Sequence, residues 1–114
     1  MPHFIIDCSE NVIRIKAADE IMQEVFDSAL STGLFTPSEI KVRIKPFSYY
    51  NNGNTLKDFI HVFAYIMEGR NDEQKSNLSK VIVTKLNAVL PEVSVISINI
   101  QEFEKSNYFN KTMI

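Results

Sequence analysis

The chain has 114 residues but a single cysteine, three glycines, two histidines and no tryptophan. One cysteine, Cys8, excludes an intramolecular disulfide, and with His3 and His61 as the only histidines no zinc-ligand spacing exists. There is no Gly-rich phosphate loop and no Gly-x-Ser-x-Gly elbow. No apolar run approaches the roughly 20 residues needed to span a bilayer. A basic n-region with a cleavable apolar segment is also missing, so the chain reads as cytoplasmic. A formal net charge of -2 gives no general pull toward nucleic acid or an anionic membrane. Nothing in this inventory calls for a metal or a cofactor.

What is present suits one globular domain: 45% hydrophobic residues and a mean hydropathy of -0.08. Residues 2–8 read as a strand. Ala17 to Ser31 reads as a helix with Ile21, Met22, Val25, Phe26, Ala29 and Leu30 on one face, and Gly33 follows as its stop. Residues 39–48 alternate strictly, with Ile40, Val42 and Ile44 against Lys41, Arg43 and Lys45, which is a strand with one apolar and one cationic face. Asn51-Asn52-Gly53-Asn54 marks a loop.

The second half repeats the plan. Phe59 to Met67 is an apolar strand, and Asn71 with Gln74 forms a capping box after the Gly69-Arg70 turn. Leu78, Val81, Ile82, Leu86, Val89 and Leu90 give the next helix its stripe, which Pro91 ends. Val93 to Glu102 is a fourth strand. The order β-α-β, loop, β-α-β predicts an α+β domain: two β-α-β units, each bringing its strands parallel, form a four-stranded sheet with both helices on one face. The Phe59–Met67 strand is apolar on both sides, so the other sheet face needs a cover that the chain does not supply. A homo-oligomer is the expected solution.

The candidate functional groups cluster by charge. Lys41, Arg43 and Lys45 form either a solvated edge or a carboxylate-binding row. Arg70 lies at a helix start, where backbone N–H groups already favour anions. His61 alternates with Phe59 and Phe63, as a core or interface histidine or as an acid–base group. Asp7 and Glu10 flank the end of the first strand, a weak basis for acid–base work. Pro2 heads that strand. Many chains begin Met-Pro, and proline is tolerated at a strand's first residue. With Met1 removed, however, Pro2 offers a secondary amine that a dry, cationic pocket keeps neutral near pH 7.

The stretch Pro2-His3-Phe4-Ile5-Ile6-Asp7-Cys8-Ser9-Glu10-Asn11 closely resembles the opening of 5-carboxymethyl-2-hydroxymuconate isomerases, in the tautomerase superfamily. The resemblance continues through Thr32-Gly33-Leu34-Phe35, Ile40-Lys41-Val42-Arg43, His61 ahead of Gly69-Arg70, the following helix and strand, and Asn107 to Lys111. It implies one tautomerase-like domain over 1–114, with β-α-β halves at about 2–50 and 57–103, assembled as a homotrimer through contacts that include the tail 104–114. It implies a cofactor-independent isomerase of aromatic catabolism acting on an enol or dienol carboxylic acid. The implied catalytic base is Pro2, with Arg70, Arg43 and Lys41 binding substrate carboxylates. Phe4, Ile5, Tyr50 and His61 are candidate pocket residues. The chain departs from the pattern at Lys41, often Arg in the family, and in the 47–56 loop; lysine cannot make arginine's planar bidentate pair. Two other readings stand beside this one: a binding protein of the same fold without activity, and a hydratase-type relative in which Pro2 stays protonated.

Overall fold

The computed structural model describes residues 1–114. Strand β1 (His3–Ser9) leads through a short helix α1 (Val12–Ile15) into helix α2 (Ala18–Ser31) and strand β2 (Lys41–Phe47). Strand β3 (Phe59–Met67), helix α3 (Asp72–Val89) and strand β4 (Val95–Phe103) repeat the unit. The sheet order is β2-β1-β3-β4. As the right-handed crossover rule predicts, β1 runs parallel to β2, and β3 to β4. The central pair β1–β3 is antiparallel, with His3 opposite Tyr65 and Asp7 opposite His61. The sheet is therefore mixed, which the repeat of elements does not reveal.

Each helix owes its limits to local chemistry. In α3 the Asn71 side chain accepts from the Gln74 N–H at 2.8 Å, while the Gln74 side chain accepts from the Asn71 N–H at 3.0 Å. That reciprocal cap contributes about 1 kcal/mol. Helix α2 closes at Gly33, whose φ of 74° is open to glycine and costly to other residues. Helix α1 is new relative to the expectation; four residues are too few to show a helical period.

Both helices pack on one face of the sheet. Phe4, Ile6 and Cys8 of β1 and Ile60, Val62, Ala64 and Ile66 of β3 meet Ile21, Val25 and Ala29 of α2 and Leu78, Ile82 and Leu86 of α3, all with 0–1% exposure. Burial pushes the Cys8 thiol up to about 11, and the nearby Asp7 and Asp58 carboxylates add to the shift, so Cys8 is a packed core residue and no nucleophile. The opposite sheet face carries Ile5, Phe63, Tyr65 and Met67, half-buried by their neighbours alone. Within the chain only Tyr108, against Phe103, and Tyr50, against Phe59, reach over its two ends. Strand β2 forms one sheet edge, and its exposed Lys41, Lys45 and Pro46 suit that position.

Candidate active site

The antiparallel β1–β3 pair decides which residues meet. Because the head of β1 lies beside the end of β3, the Gly69-Arg70 turn arrives at Pro2. Because β2 runs parallel to β1, its head brings Lys41 opposite His3 and Arg43 opposite Ile5. The first β-α-β unit thus delivers Lys41 and Arg43, and the second delivers Arg70, to one end of one strand pair.

Pro2 is buried, and its carbonyl accepts from the Lys41 N–H at 3.1 Å. That bond opens the β1–β2 ladder and fixes the strand head. The chain's terminal amine, on Met1, is held below its ordinary value of 8.0. Burial is the main cause; Lys41 and Arg70 also disfavour the ammonium, and Glu39 opposes them. Lys41 Nζ donates to the Glu39 carbonyl at 3.2 Å and lies 3.8 Å from the Met1 sulfur. Arg70 Nη2 donates to the Leu34 carbonyl at 2.5 Å, and its guanidinium lies 5.9 Å from the Phe35 ring centre. The loop after α2 therefore holds Arg70 toward the amine.

On the open sheet face Arg43 Nη1 donates to His3 Nδ1 at 3.1 Å. The His3 ring meets Phe103 edge-on at 6.0 Å, Phe103 stacks with Tyr65 at 6.1 Å, and Tyr108 of the tail flanks Phe103 at 5.7 Å. Arg43, with Lys41 at the neighbouring register position, thus lies on the face of this aromatic wall, while Arg70 packs over Phe35 on the helix side. Such a site can bind a planar acid and favour a neutral amine. It contains no cluster of His, Cys, Asp or Glu able to hold a metal ion.

The remaining sequence candidates lie elsewhere within the chain. Phe4 points into the helix side, 0% exposed, with its ring 6.0 Å from Phe35; it supports the platform under Arg70 rather than walling a pocket. The sequence Phe4-Ile5-Ile6 does not alternate, so the parity of β1 was ambiguous. Ile5 faces the open side, between Arg43 and Phe63. His61 is opposite Asp7, four positions along β1 from His3 and so about 13 Å away. Its Nε2 donates to Asn99 Oδ1 at 2.7 Å, and its Nδ1 pairs with the Ser97 hydroxyl at 2.6 Å. His61 is therefore a satisfied histidine on the open face.

Tyr50 lies beyond the far end of β2, about 20 Å from the head of β1. It donates to the Leu56 carbonyl and packs on Phe59. Glu10 is also at that far end, bound by Arg14 and Ser48, and makes no pair with Asp7. A groove of about 540 Å³ lined by Asp27, Lys80, Thr84 and Lys85 lies between α2 and α3, on the outer helix layer and away from Pro2. The sequence reading missed Glu39 and the Leu34–Phe35 platform, because only tertiary contacts bring them to the amine.

Similar structures are numerous. The chain resembles a 5-carboxymethyl-2-hydroxymuconate isomerase from Deinococcus radiodurans R1, with 21% identity, TM-score 0.75, and coverage of 96% of this chain and 88% of that one. It also resembles a 5-carboxymethyl-2-hydroxymuconate delta-isomerase, with 15% identity, TM-score 0.77, and 96% and 86% coverage. An asymmetric trimer of a fused 4-OT gives 16% identity, TM-score 0.78, and 96% and 92% coverage. At these identities the likeness concerns the fold. No curated protein sequence matches the chain. The sequence pattern of one isomerase family matches residues 2–114, almost the whole length, and supports an isomerase activity. On that match the chain belongs to the 5-carboxymethyl-2-hydroxymuconate isomerase family.

Proposed function

We propose that the protein, once Met1 is removed, is a cofactor-independent tautomerase that moves a proton along an enol or dienol carboxylic acid of the 2-hydroxymuconate type. The observation that carries this reading is the buried head of β1, where Pro2 is fixed by the Lys41 N–H and where Lys41 and Arg70 both disfavour the charged form of the Met1 amine one residue before it. The neutral Pro2 nitrogen takes the proton of the enol hydroxyl. Its electrons form the carbonyl, the double bonds shift, and the ammonium returns the proton to a carbon further along. Nothing is oxidised or reduced. Arg70, Arg43 and Lys41 hold carboxylates and offset charge on the enolate. Burial, with Lys41 and Arg70 acting against Glu39, disfavours the ammonium of the Met1 amine, and surroundings of that kind at the adjacent Pro2 favour a base over the protonated acid a hydratase requires.

The working unit in this reading is a homotrimer. The support is the apolar sheet face carrying Ile5, Phe63, Tyr65 and Met67, which stays only half-buried within the chain, together with the exposed Phe109 and Ile114 of the tail. Light scattering at micromolar concentration should return the mass of three chains; the mass of one chain would remove this part of the proposal.

Activity is tested with a 2-hydroxydienoate and with phenylenolpyruvate, following ketonisation by absorbance. Arg70→Gln keeps a donor for the Leu34 carbonyl but loses the charge. It should lower kcat/KM by about 10²-fold, the loss expected for a charge-assisted carboxylate contact that strengthens as the enolate forms. Turnover equal to the parent's would exclude Arg70 from the site.

A further inference from the structure

The contact between His3 and Arg43 fixes a protonation state. A guanidinium carries donors only. Since Arg43 Nη1 lies 3.1 Å from His3 Nδ1, that nitrogen must present its lone pair. The imidazole is therefore neutral, with its proton on Nε2. The ring also meets Phe103 edge-on, and Phe103 in turn lies against Tyr65 and Tyr108. Arg43 has no ion pair in the chain, and His3 is its one side-chain partner. One N–H of the fork is occupied and the others remain free.

We propose that His3 is a positioning residue: its neutral imidazole holds Arg43 so that the rest of the guanidinium fork meets a substrate carboxylate, and the hold is released when His3 takes up a proton. The carboxylate in this statement rests on the function proposed above; the hold on Arg43 does not. An imidazolium would set a donor against a donor. The charged and titratable groups facing His3 are the terminal amine on the residues preceding its strand, Lys41 and Arg43 from β2 and the Tyr65 phenol from β3; β4 presents only Phe103. No carboxylate is among them. Burial first, then Arg43, Lys41 and the amine, keep His3 below the usual 6.5. Its proton is therefore taken up only on the acid side of that value, and Arg43-dependent binding weakens there.

The test uses the full chain with Met1 removed. His3→Phe keeps a ring against Phe103 but has no lone pair. It should raise KM for the enol acid about tenfold, the loss falling on KM more than on kcat, as expected for one hydrogen bond to a charged group. His3→Asn places an amide oxygen near the Nδ1 position and does not titrate. It should recover most of the lost KM and flatten the acid-side rise in KM. Independently of turnover, ¹⁵N NMR of the His3 ring should show its titration moving up toward 6.5 in Arg43→Gln. A His3 titration unmoved by Arg43→Gln, or a His3→Phe protein with the parent's KM, overturns the proposal. If the parent turns over neither acid, the proposed function fails while the NMR titration still decides the His3–Arg43 hold.

Discussion

A protein that retains Met1 should turn over enol acids at least 10²-fold more slowly than the same chain beginning at Pro2, within the 10²–10⁴-fold range of a lost general base. Retention makes the Pro2 nitrogen an amide, which has no usable lone pair, while every side chain of the site stays in place. The new terminal amine on Met1 is displaced by a whole residue from the strand head that the Lys41–Pro2 ladder bond fixes. Geometry therefore fails even though the Met1 amine, too, is held below its ordinary value. Pro2→Ala in the trimmed chain should lose less, at least tenfold, since a primary amine remains at the same place. Intact mass spectrometry assigns the terminus in each preparation, and progress curves give the rates. Equal rates for the two termini would exclude Pro2 as the base.

Phe4→Ala should destabilise the fold by about 3–5 kcal/mol, the cost of emptying an aromatic site in a close-packed core. A domain of this size holds only about 5–15 kcal/mol in all, so thermal unfolding should fall by more than 10 °C. The reason is parity. Phe4 is 0% exposed and packs with Ile6 and Cys8 against the helix layer, and its ring also carries Phe35, over which Arg70 lies. Phe4→Leu separates support from contact. It retains much of the buried volume, so it should cost about 1 kcal/mol and leave KM within twofold of the parent. Calorimetry and steady-state kinetics on the pair decide the matter. A Phe4→Leu protein of normal stability with a greatly raised KM would place Phe4 in the pocket wall after all.

How far the sequence reached depended on which physical signal each residue carried. Strand β2 alternates from Lys41 to Lys45, so its cationic row follows from the pattern; the alternation reads over 39–48, and the strand itself spans Lys41–Phe47. The Asn71–Gln74 cap and the Gly33 stop are local chemistry, legible at short range. Strand β1 carries Phe4, Ile5 and Ile6 in succession, so its pattern does not say which side faces the helices. The antiparallel β1–β3 pairing is a long-range choice between strands, and no local propensity encodes it. That pairing brings Arg70 to Pro2 and puts His61 out of its reach within one chain, while the parallel β1–β2 pair carries Tyr50 to the far end of the sheet. His3 stayed in the background because its role comes from a cross-strand arginine and from Phe103, a hundred positions later in the chain.

The β1–β3 antiparallel pair also relates the two halves by an approximate twofold axis through the middle of the sheet. A doubled unit offers two equivalent corners, one at the head of β1 and one at the head of β3. A polypeptide has only one beginning. At the second corner the nitrogen of Phe59 is locked in a peptide bond and donates to Ser9 Oγ, which in turn donates to Asp58 at 2.8 Å, with Asn11 on the same carboxylate at 2.9 Å. The geometry that holds the proposed Pro2 amine at one corner fastens the two halves together at the other. Duplication of the unit therefore doubles the scaffold, but the proposed Pro2 chemistry has only one place per polypeptide.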